Sequence, residues 1–419
     1  MNFISLFRNL PIDLQYKIIG YNHEMLFLRS ELVGYDWFKL IRMNFGLQYS
    51  KDSSSGDQMM KVYLGNCRSR SKIVCGFSFT IVRLEDGTLM GSGYNELRGL
   101  GIEGKNKINK FEPIPKIPKN VAEVACGYGF TIIRLTDGTL MSCGSNASGG
   151  WGRGNTDSRN EFREISGIPK NITQVVCGKF HRIIRLTDGT LMGCGDNYAG
   201  ELGLGDNKKK NLFEEIRGIP KNIVDVACGG FHTIIRLTDG ALMGCGSNSH
   251  GQLGNVIINS KNTFEEIANV PKNIVDVACG EFHTIIRLTD GTLMGCGVNG
   301  HGQLGLGDYQ DRHVFTKIEK VKDVAEIACA SYGTIIRLMD GTLMSCGWFV
   351  KGRGKMCLFD SINNIPKNIT EVSCGRYHAV LRLSDGTLMG FGNNACGALG
   401  LGDYRDRTEF EAIPGIICA

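Results

Sequence analysis

The sequence ITQVVCGKFHRIIRLTDGTLMGCG, residues 172–195, contains three short runs of apolar and β-branched residues separated by turn-forming residues. Thr187, Asp188 and Gly189 stand between the second and third runs. They predict a tight hairpin turn, because glycine accepts a positive φ and aspartate bonds its own backbone. A fourth run, FEEI at residues 213–216, follows a glycine-rich stretch. The segment therefore predicts four short strands.

This pattern recurs along the chain. Each copy begins with Cys-Gly, or once with Cys-Ala, and Asp-Gly follows eleven residues after each cysteine. The intervals between the cysteines are 51, 51, 51, 51, 50 and 45 residues. The cysteines are Cys75, Cys126, Cys177, Cys228, Cys279, Cys329 and Cys374. Seven copies of a four-stranded unit predict an all-β fold, a seven-bladed β-propeller of repeats of about 51 residues.

Composition and charge restrict the class of protein. A chain of 419 residues fits one repeat array with a small appendage. Its 47 Lys and Arg against 42 Asp and Glu leave a net charge of +5, too slight to indicate direct nucleic-acid binding. The chain lacks a signal-peptide pattern and any run of 18 apolar residues, so we expect an intracellular protein, cytoplasmic or nuclear, with no membrane partner. The 16 cysteines contain no CxxC pair and are expected to be reduced, small core residues.

Two motifs give the repeat its family resemblance. One is CGxFHT, at residues 228–233 and 279–284, and the other is NxxGxLGLGD, at residues 197–206, 299–308 and 394–403. With the period, they resemble the repeats of the regulator of chromosome condensation family across residues 60–415. The resemblance implies a propeller that binds partners rather than one that catalyses a reaction.

Repeat 6 and the two ends of the array depart from the pattern. In repeat 6, Gly333 stands at the histidine position, and GWFVKGRGK at residues 347–355 replaces the NxxGxLGLGD loop, which predicts an altered rim. Residues 60–64 and 410–413 both resemble a fourth strand. Eight such segments for seven blades predict that one end overlaps the other to close the ring.

Several polar residues recur in the repeat and are interpreted as architectural. Equal positions in successive blades lie on a ring around the axis, so four recurring histidines cannot converge on a metal, and we expect each to hold its first hairpin by a hydrogen bond. They are His181, His232, His283 and His378. A ring of one arginine per blade is expected to contact local carboxylates or carbonyls. We predict no catalytic residue, no metal and no cofactor, and hence no enzyme.

Variation between otherwise equal repeats indicates the candidate site. The residues directly after each Cys-Gly or Cys-Ala pair differ in every repeat, and aromatic residues follow several of them. The first set is Phe77, Tyr128, Lys179, Gly230, Glu281, Ser331 and Arg376. The second set is Phe180, Phe231, Phe282, Tyr332 and Tyr377. We expect both sets to line one propeller face near the central channel and to bind a protein partner.

Residues 1–50 share nothing with the repeat, and KDSSSGDQ at residues 51–58 predicts a flexible linker, which assigns residues 59–419 to the propeller. LPIDLQYKII at residues 10–19 and WFKLI at residues 37–41 show helical apolar spacing. They resemble an F-box, the three-helix motif that docks on the adaptor of a ubiquitin ligase. The resemblance implies adaptor contacts at Leu10, Pro11, Leu14, Ile18, Trp37 and Leu40. The alternative is an inert helical cap on the propeller.

The sequence therefore favours a protein-interaction scaffold, a substrate receptor of a ubiquitin ligase if the N-terminal module docks on the adaptor. The alternative is a guanine-nucleotide exchange factor for a Ran-like small GTPase, or a chromatin-binding propeller. The exchange factor of the family inserts a wedge into its propeller, for which the regular spacing of repeats 1–5 leaves no room. The family also includes a light sensor, which depends on clustered Trp residues on the propeller face. Light sensing is excluded here because the CGxFHT motif carries Phe or Tyr where that sensor has Trp. The near-identical repeats behind a degenerate F-box also resemble proteins of large DNA viruses of amoebae, which would place the chain in a host cell.

Overall fold

The structure is a computed structural model that describes residues 71–147, 149, 157–349 and 354–418. These residues form seven four-stranded antiparallel sheets, the blades of a β-propeller, so the predicted fold class is confirmed. The F-box-like module, the linker and the strand expected at residues 60–64 all lie outside the described residues. Within the described part of the chain, no helix is long and apolar enough to cross a membrane.

Each blade consists of four consecutive strands, with the first strand nearest the axis. Blade 1 comprises β1 (Ile73–Cys75), β2 (Phe79–Arg83), β3 (Leu89–Tyr94) and β4 (Lys107–Pro113). Blade 2 comprises β5 (Val121–Cys126), β6 (Phe130–Leu135), β7 (Leu140–Gly144) and β8 (Arg159–Glu164). Blade 3 comprises β9 (Ile172–Cys177), β10 (His181–Leu186), β11 (Leu191–Gly195) and β12 (Lys210–Ile216). Blade 4 comprises β13 (Ile223–Cys228), β14 (His232–Leu237), β15 (Leu242–Gly246) and β16 (Lys261–Glu266).

The remaining three blades follow the same plan. Blade 5 comprises β17 (Ile274–Cys279), β18 (His283–Leu288), β19 (Leu293–Gly297) and β20 (Arg312–Ile318). Blade 6 comprises β21 (Val324–Cys329), β22 (Gly333–Leu338), β23 (Leu343–Gly347) and β24 (Met356–Ser361). Blade 7 comprises β25 (Ile369–Cys374), β26 (His378–Leu383), β27 (Thr387–Gly392) and β28 (Arg407–Ile417).

The turn between β10 and β11 has the predicted hairpin chemistry. Leu186 N donates to Thr190 O at 2.9 Å, and Thr190 N donates to the Asp188 carboxylate at 2.9 Å. Gly189 has φ +84°, and a Cβ there would lie 1.8 Å from the carbonyl oxygen of Lys221 at the start of the next blade. Glycine therefore serves both the backbone angle and the close approach of the neighbouring blade.

The hydrophobic core lies between the blades rather than inside any one of them. At the junction of blades 3 and 4, Ile183 and Leu191 pack with Ile235 and Phe264 in one buried cluster. Equivalent clusters fill the other six junctions. Both faces of each second strand are consequently covered, which is why β10 and β14 are buried along their whole length.

Each of the three NxxGxLGLGD loops fastens its blade to the next one. The Asn197 side chain donates to Asp206 O at 2.8 Å and accepts from Leu202 N at 2.9 Å, which closes the loop. Gly205 N then donates to Asn262 O of blade 4 at 2.7 Å. The loops of blades 5 and 7 repeat this bond, from Gly307 N to Cys357 O and from Gly402 N to Asn109 O, both at 2.7 Å.

The recurring histidines form bonds between blades, not within their own hairpins as predicted from the sequence. His181 Nε2 of blade 3 lies 2.9 Å from Thr233 Oγ1 of blade 4. Thr233 donates its single hydroxyl proton to Glu201 O at 2.8 Å, so His181 is the donor in the histidine–threonine bond. The other pairs are His232–Thr284 at 3.0 Å, His283–Thr334 at 3.2 Å and His378–Thr80 at 3.1 Å. The prediction failed because the first residue of each second strand points into the junction.

The arginine ring is architectural, as predicted. Arg134 bonds Glu123 at 2.9 Å on the neighbouring strand of its own blade, and Arg337 bonds Glu326 at 2.9 Å in the same way. Arg185 instead donates to Ile223 O of the next blade at 3.1 Å. These side chains therefore do not form a phosphate-binding stripe.

Blade 6 changes more than its rim. Gly333 leaves the histidine space open, and Phe349 fills it, because a Cβ on Gly333 would lie 2.4 Å from the Phe349 ring. Phe349 is 6% exposed and packs against Phe391 of blade 7 with ring centroids 5.5 Å apart. The departure of repeat 6 therefore repacks the junction, which the sequence did not predict, while residues 350–353 of the replaced rim loop lie outside the described residues.

Blades 7 and 1 close the ring. The Glu371 carboxylate of β25 accepts hydrogen bonds from the Ser71 hydroxyl and from Lys72 N, the latter at 3.1 Å. Cys75 N donates to Ser373 Oγ at 3.0 Å. The last strand, β28, pairs with β27 of its own blade.

Candidate protein-binding face at the channel mouth

The variable residues lie where each innermost strand ends. Each first strand stops at its cysteine, and the following loop turns outward to the second strand. The seven loops surround a channel cavity of about 160 Å³, lined by the Cys-Gly or Cys-Ala pairs and by the residue after each of them. The structure thus places all seven members of the first predicted set around one channel.

Aromatic rings form a continuous arc from blade 1 to blade 5. Phe77 meets Tyr128 edge to face with centroids 4.5 Å apart, and Tyr128 meets Phe180 at 5.3 Å. Phe231 lies 6.3 Å from Phe180 and stacks on Phe282 at 5.3 Å. All five rings are half-buried, so each has one side in the protein and another toward solvent.

A second arc covers blades 6 and 7. Tyr332 stacks on Tyr377 with centroids 5.5 Å apart, and Trp348 meets Tyr377 edge to face at 5.1 Å. His301 stacks on Trp348 at 5.6 Å and contacts Tyr332 at 5.0 Å. The aromatic residues predicted for this face are therefore brought together, with additional members from outside the predicted set.

The additional members come from a second set of loops. His250, His301 and Trp348 extend from the loops after the third strands, and His250 contacts Phe282 at 5.7 Å. His250 and His301 both stand at the second position between Asn and Gly of the NxxG motif, whereas Trp348 belongs to blade 6, where the motif is replaced. Comparison of the residues after Cys-Gly could not identify them, because they lie in a different loop of the repeat.

Three charged residues stand among the rings. Lys179 Nζ lies 2.6 Å from Glu281 Oε1, and their side chains are only 18% and 6% exposed. The guanidinium of Arg376 lies 4.4 Å from the Phe77 ring centroid and 4.6 Å from that of Tyr377. Cation–π attraction holds Arg376 against the aromatic surface.

Seven cysteines contribute to the lining of the channel cavity. The cysteines of the Cys-Gly pairs are half-buried along the channel, whereas the cysteines of the third strands, such as Cys194, are fully buried. Desolvation raises the pKa of Cys75 to about 11 and that of Cys177 to about 12, so these thiols stay protonated at neutral pH. Across residues 71–147, 149, 157–349 and 354–418, no three His, Cys, Asp or Glu side chains are arranged to hold a metal ion.

The chemistry of the face is suited to recognition. Half-buried aromatic rings and arginine are the residues enriched in protein interfaces and in their energetic hot spots. The junction histidines His181 and His232 are buried and use Nε2 in the bonds between blades. A face of this composition is suited to binding a protein surface.

Comparison with known proteins places this chain among relatives of known architecture. A model of the RCC1-like domain matches residues 112–417. The human probable E3 ubiquitin-protein ligase HERC6 is 30% identical over 263 residues, which cover 59% of this chain and 25% of that protein. The human probable E3 ubiquitin-protein ligase HERC4 is 28% identical over 303 residues, which cover 57% of this chain and 28% of that protein. The chain spans about a quarter of the length of these relatives.

Solved structures share the fold. Human WBSCR16 superposes with a TM-score of 0.70 at 20% identity, covering 78% of this chain and 94% of that one. Prp20p from Saccharomyces cerevisiae, described together with its binding to Gsp1p and histones, superposes with a TM-score of 0.69 at 19% identity, covering 84% of this chain and 89% of that one. At these identities the likeness concerns the fold alone. The match of the domain model over most of the propeller is the stronger finding, and by it this chain belongs to the RCC1-like domain family.

Proposed function

We propose that this chain is a protein-interaction scaffold whose partner binds the channel-mouth face. The observation that carries the proposal is the arc of half-buried aromatic rings around the channel mouth, in which a recurring Phe or Tyr of the repeat lies beside residues that vary between otherwise equal blades, such as Phe77, Tyr128 and Lys179. The repeat fixes the surrounding backbone, so this variation serves something other than the fold. The closed ring of blades also holds these aromatic side chains in place before binding, so that little conformational entropy is lost when a partner binds.

In the finer proposal, the chain is a substrate receptor of a ubiquitin ligase. The F-box-like residues at 10–19 and 37–41 would dock on the adaptor, while the propeller would select the protein to be modified. Similarity to proteins named as E3 ubiquitin-protein ligases supports the link to ubiquitin transfer. A docking module and a recognition module on one chain are the two parts that such a receptor needs.

Partner recovery from cells expressing the full chain tests the face. The face variant Arg376→Glu/Tyr332→Ala removes an anchor and reverses a charge, and the rim variant Arg405→Glu/Tyr404→Ala makes the same changes at exposed positions beyond the channel. Proteins recovered by the native chain should be lost with the face variant and kept with the rim variant. Equal recovery by the native chain and the face variant would overturn the assignment.

The alternative of nucleotide exchange predicts a different result. An exchange factor speeds release of a fluorescent guanine nucleotide from a Ran-like GTPase, whereas a recognition scaffold leaves release at its intrinsic rate. We expect no acceleration by the purified chain. Acceleration that the face variant abolishes would replace the receptor proposal with the exchange proposal.

A further inference from the structure

The ammonium group of Lys179 occupies an aromatic cage. Its Nζ lies 5.5 Å from the ring centroid of Phe77, 5.6 Å from that of Phe180 and 5.1 Å from that of Phe231. The Glu281 carboxylate bonds the same ammonium at 2.6 Å. These four groups come from blades 1, 3, 4 and 5, so the cage spans the channel mouth.

The cage depends on a glycine in the blade between Lys179 and Glu281. Gly230 occupies the equivalent position in blade 4, and a Cβ there would lie 2.7 Å from Glu281 Cγ and 2.8 Å from Glu281 O. The missing side chain lets Glu281 reach the ammonium of Lys179 two blades away. The residues at the same repeat position in blades 3, 4 and 5, which are Lys179, Gly230 and Glu281, thus form one cation site together.

The acidic member of the cage retains unused binding capacity. Glu281 is 6% exposed, and its Oε2 is buried without a hydrogen-bond partner among the described residues. Because only one of its two oxygens is bonded, this buried carboxylate keeps uncompensated negative charge, which attracts a cation whether or not that cation donates a hydrogen bond.

We propose that Phe77, Phe180, Phe231 and Glu281 form a recognition site for the ammonium group of a partner's lysine side chain, above all an N-methylated one, and that Lys179 is its internal competitor. The inference rests on the proposed function, because it assumes that a protein partner reaches this face. It adds the chemical class of the side chain that the face selects.

When the ammonium group of a partner's lysine replaces that of Lys179, the site keeps its electrostatic and cation–π interactions. The incoming group gains the carboxylate and the three ring faces that Lys179 loses, while the released Lys179 returns to water. An N-methylated ammonium has fewer N–H donors to strip of water, so it enters an aromatic site at a lower desolvation cost than a primary ammonium. Methylation should therefore shift the competition toward the partner.

Titration with small probes tests the cage without requiring a protein partner. The probes are N-acetyl-trimethyllysine methylamide, its unmodified lysine analogue and its neutral Nε-acetyllysine analogue, measured by calorimetry against the full-length chain. Lys179→Ala removes the competitor and should bind the trimethylated probe at least tenfold tighter than the native chain. Lys179→Ala/Glu281→Gln should lose at least tenfold of that affinity, and the acetylated probe should not bind either variant.

The inference is overturned if Lys179→Ala binds the trimethylated probe no more tightly than the native chain, or if it binds the acetylated probe equally well. Melting curves verify the fold, and Lys179→Gln, which keeps a donor for Glu281, replaces the alanine variant if that one unfolds. Probe binding without partner recovery would fault the proposed function and leave the cage standing. Partner recovery without probe binding would fault the cage alone.

Discussion

The guanidinium of Arg182 lies 3.5 Å from the centre of the Phe130 ring, across the junction of blades 2 and 3. Four other junctions place a histidine and a threonine at these two positions. Arg182 is 1% exposed and Phe130 is also buried, so the pair replaces a hydrogen bond by a cation–π contact. Five of the seven junctions therefore carry a matched pair at these two positions, four with a hydrogen bond and one with a cation–π contact.

The matched-pair account predicts strong coupling between Phe130 and Arg182. Phe130→His alone sets an imidazole against a buried guanidinium and should lower the free energy of unfolding by about 2 kcal/mol or more. Adding Arg182→Thr recreates the histidine–threonine bond of the other junctions and should recover at least about 1 kcal/mol of that loss. Denaturant unfolding of both single variants and the double variant gives the coupling. Simple additivity of the two single effects would show that the junction residues act independently.

The buried histidines predict loss of stability in mild acid. Burial lowers the pKa of His181, His232 and His283 to about 3 and that of His378 to about 4. The unfolded chain, with histidine pKa values near about 6.5, binds more protons than the folded chain below that pH. Stability is thus complete above about pH 6.5 and falls as the pH drops toward 4, with up to about 1.4 kcal/mol per pH unit from each histidine.

Melting temperatures between pH 8 and pH 4.5 measure this dependence. His232→Phe introduces the residue that stands at the equivalent position of blade 1, where Phe79 is buried. This variant should lose about a quarter of the histidine contribution to the slope, since it removes one of four groups. Replacement of His313, which is exposed on β20, serves as the control. An unchanged slope in His232→Phe would contradict the assignment of acid sensitivity to the junctions.

Gly230 should be intolerant of even one methyl group. A Cβ there would press on both the side chain and the backbone of Glu281 at 2.7 and 2.8 Å. Gly230→Ala should therefore cost about 1–3 kcal/mol of unfolding free energy, as overpacking commonly does. Gly300→Ala is the matched control, because nothing lies within 4 Å of its added Cβ, and should change stability by less than about 0.5 kcal/mol. Equal stability of both variants would mean that the channel-mouth loops yield freely.

The N-terminal module makes a separate prediction that concerns residues outside the described structure. Trp37→Ala should weaken binding to the ubiquitin-ligase adaptor by about 2 kcal/mol or more, as loss of a buried aromatic anchor does. Arg376→Glu, on the propeller face, should leave adaptor binding unchanged. Affinity measurements with the purified adaptor give the comparison. If the full chain does not bind the adaptor, and a chain starting at Lys51 melts at a clearly lower temperature, residues 1–50 are a cap on the propeller.

The sequence carried the fold because its period and turn residues repeat seven times, so each blade supported the interpretation of the others. It also located the variable loops at the channel, since loops at equal repeat positions must lie on one ring. It could not show that Lys179 and Glu281 meet, because contacts across a ring have no signature in sequence spacing. The same limit hid the bond from His181 to Thr233, which lie 52 residues apart in the sequence and in neighbouring blades.

Site-specific photo-crosslinking tests the central claim, that the partner binds the channel-mouth face. A photoreactive phenylalanine analogue is placed at Tyr332 or Tyr377 on the face and, as the comparison, at Tyr198 or Tyr404, which are 71% and 47% exposed outside the aromatic arcs. After irradiation in cells expressing the chain, the account predicts covalent adducts to the same recovered partner from both face positions and none from Tyr198 or Tyr404. Adducts that form only at Tyr198 or Tyr404 would contradict it and move the binding surface to the rim.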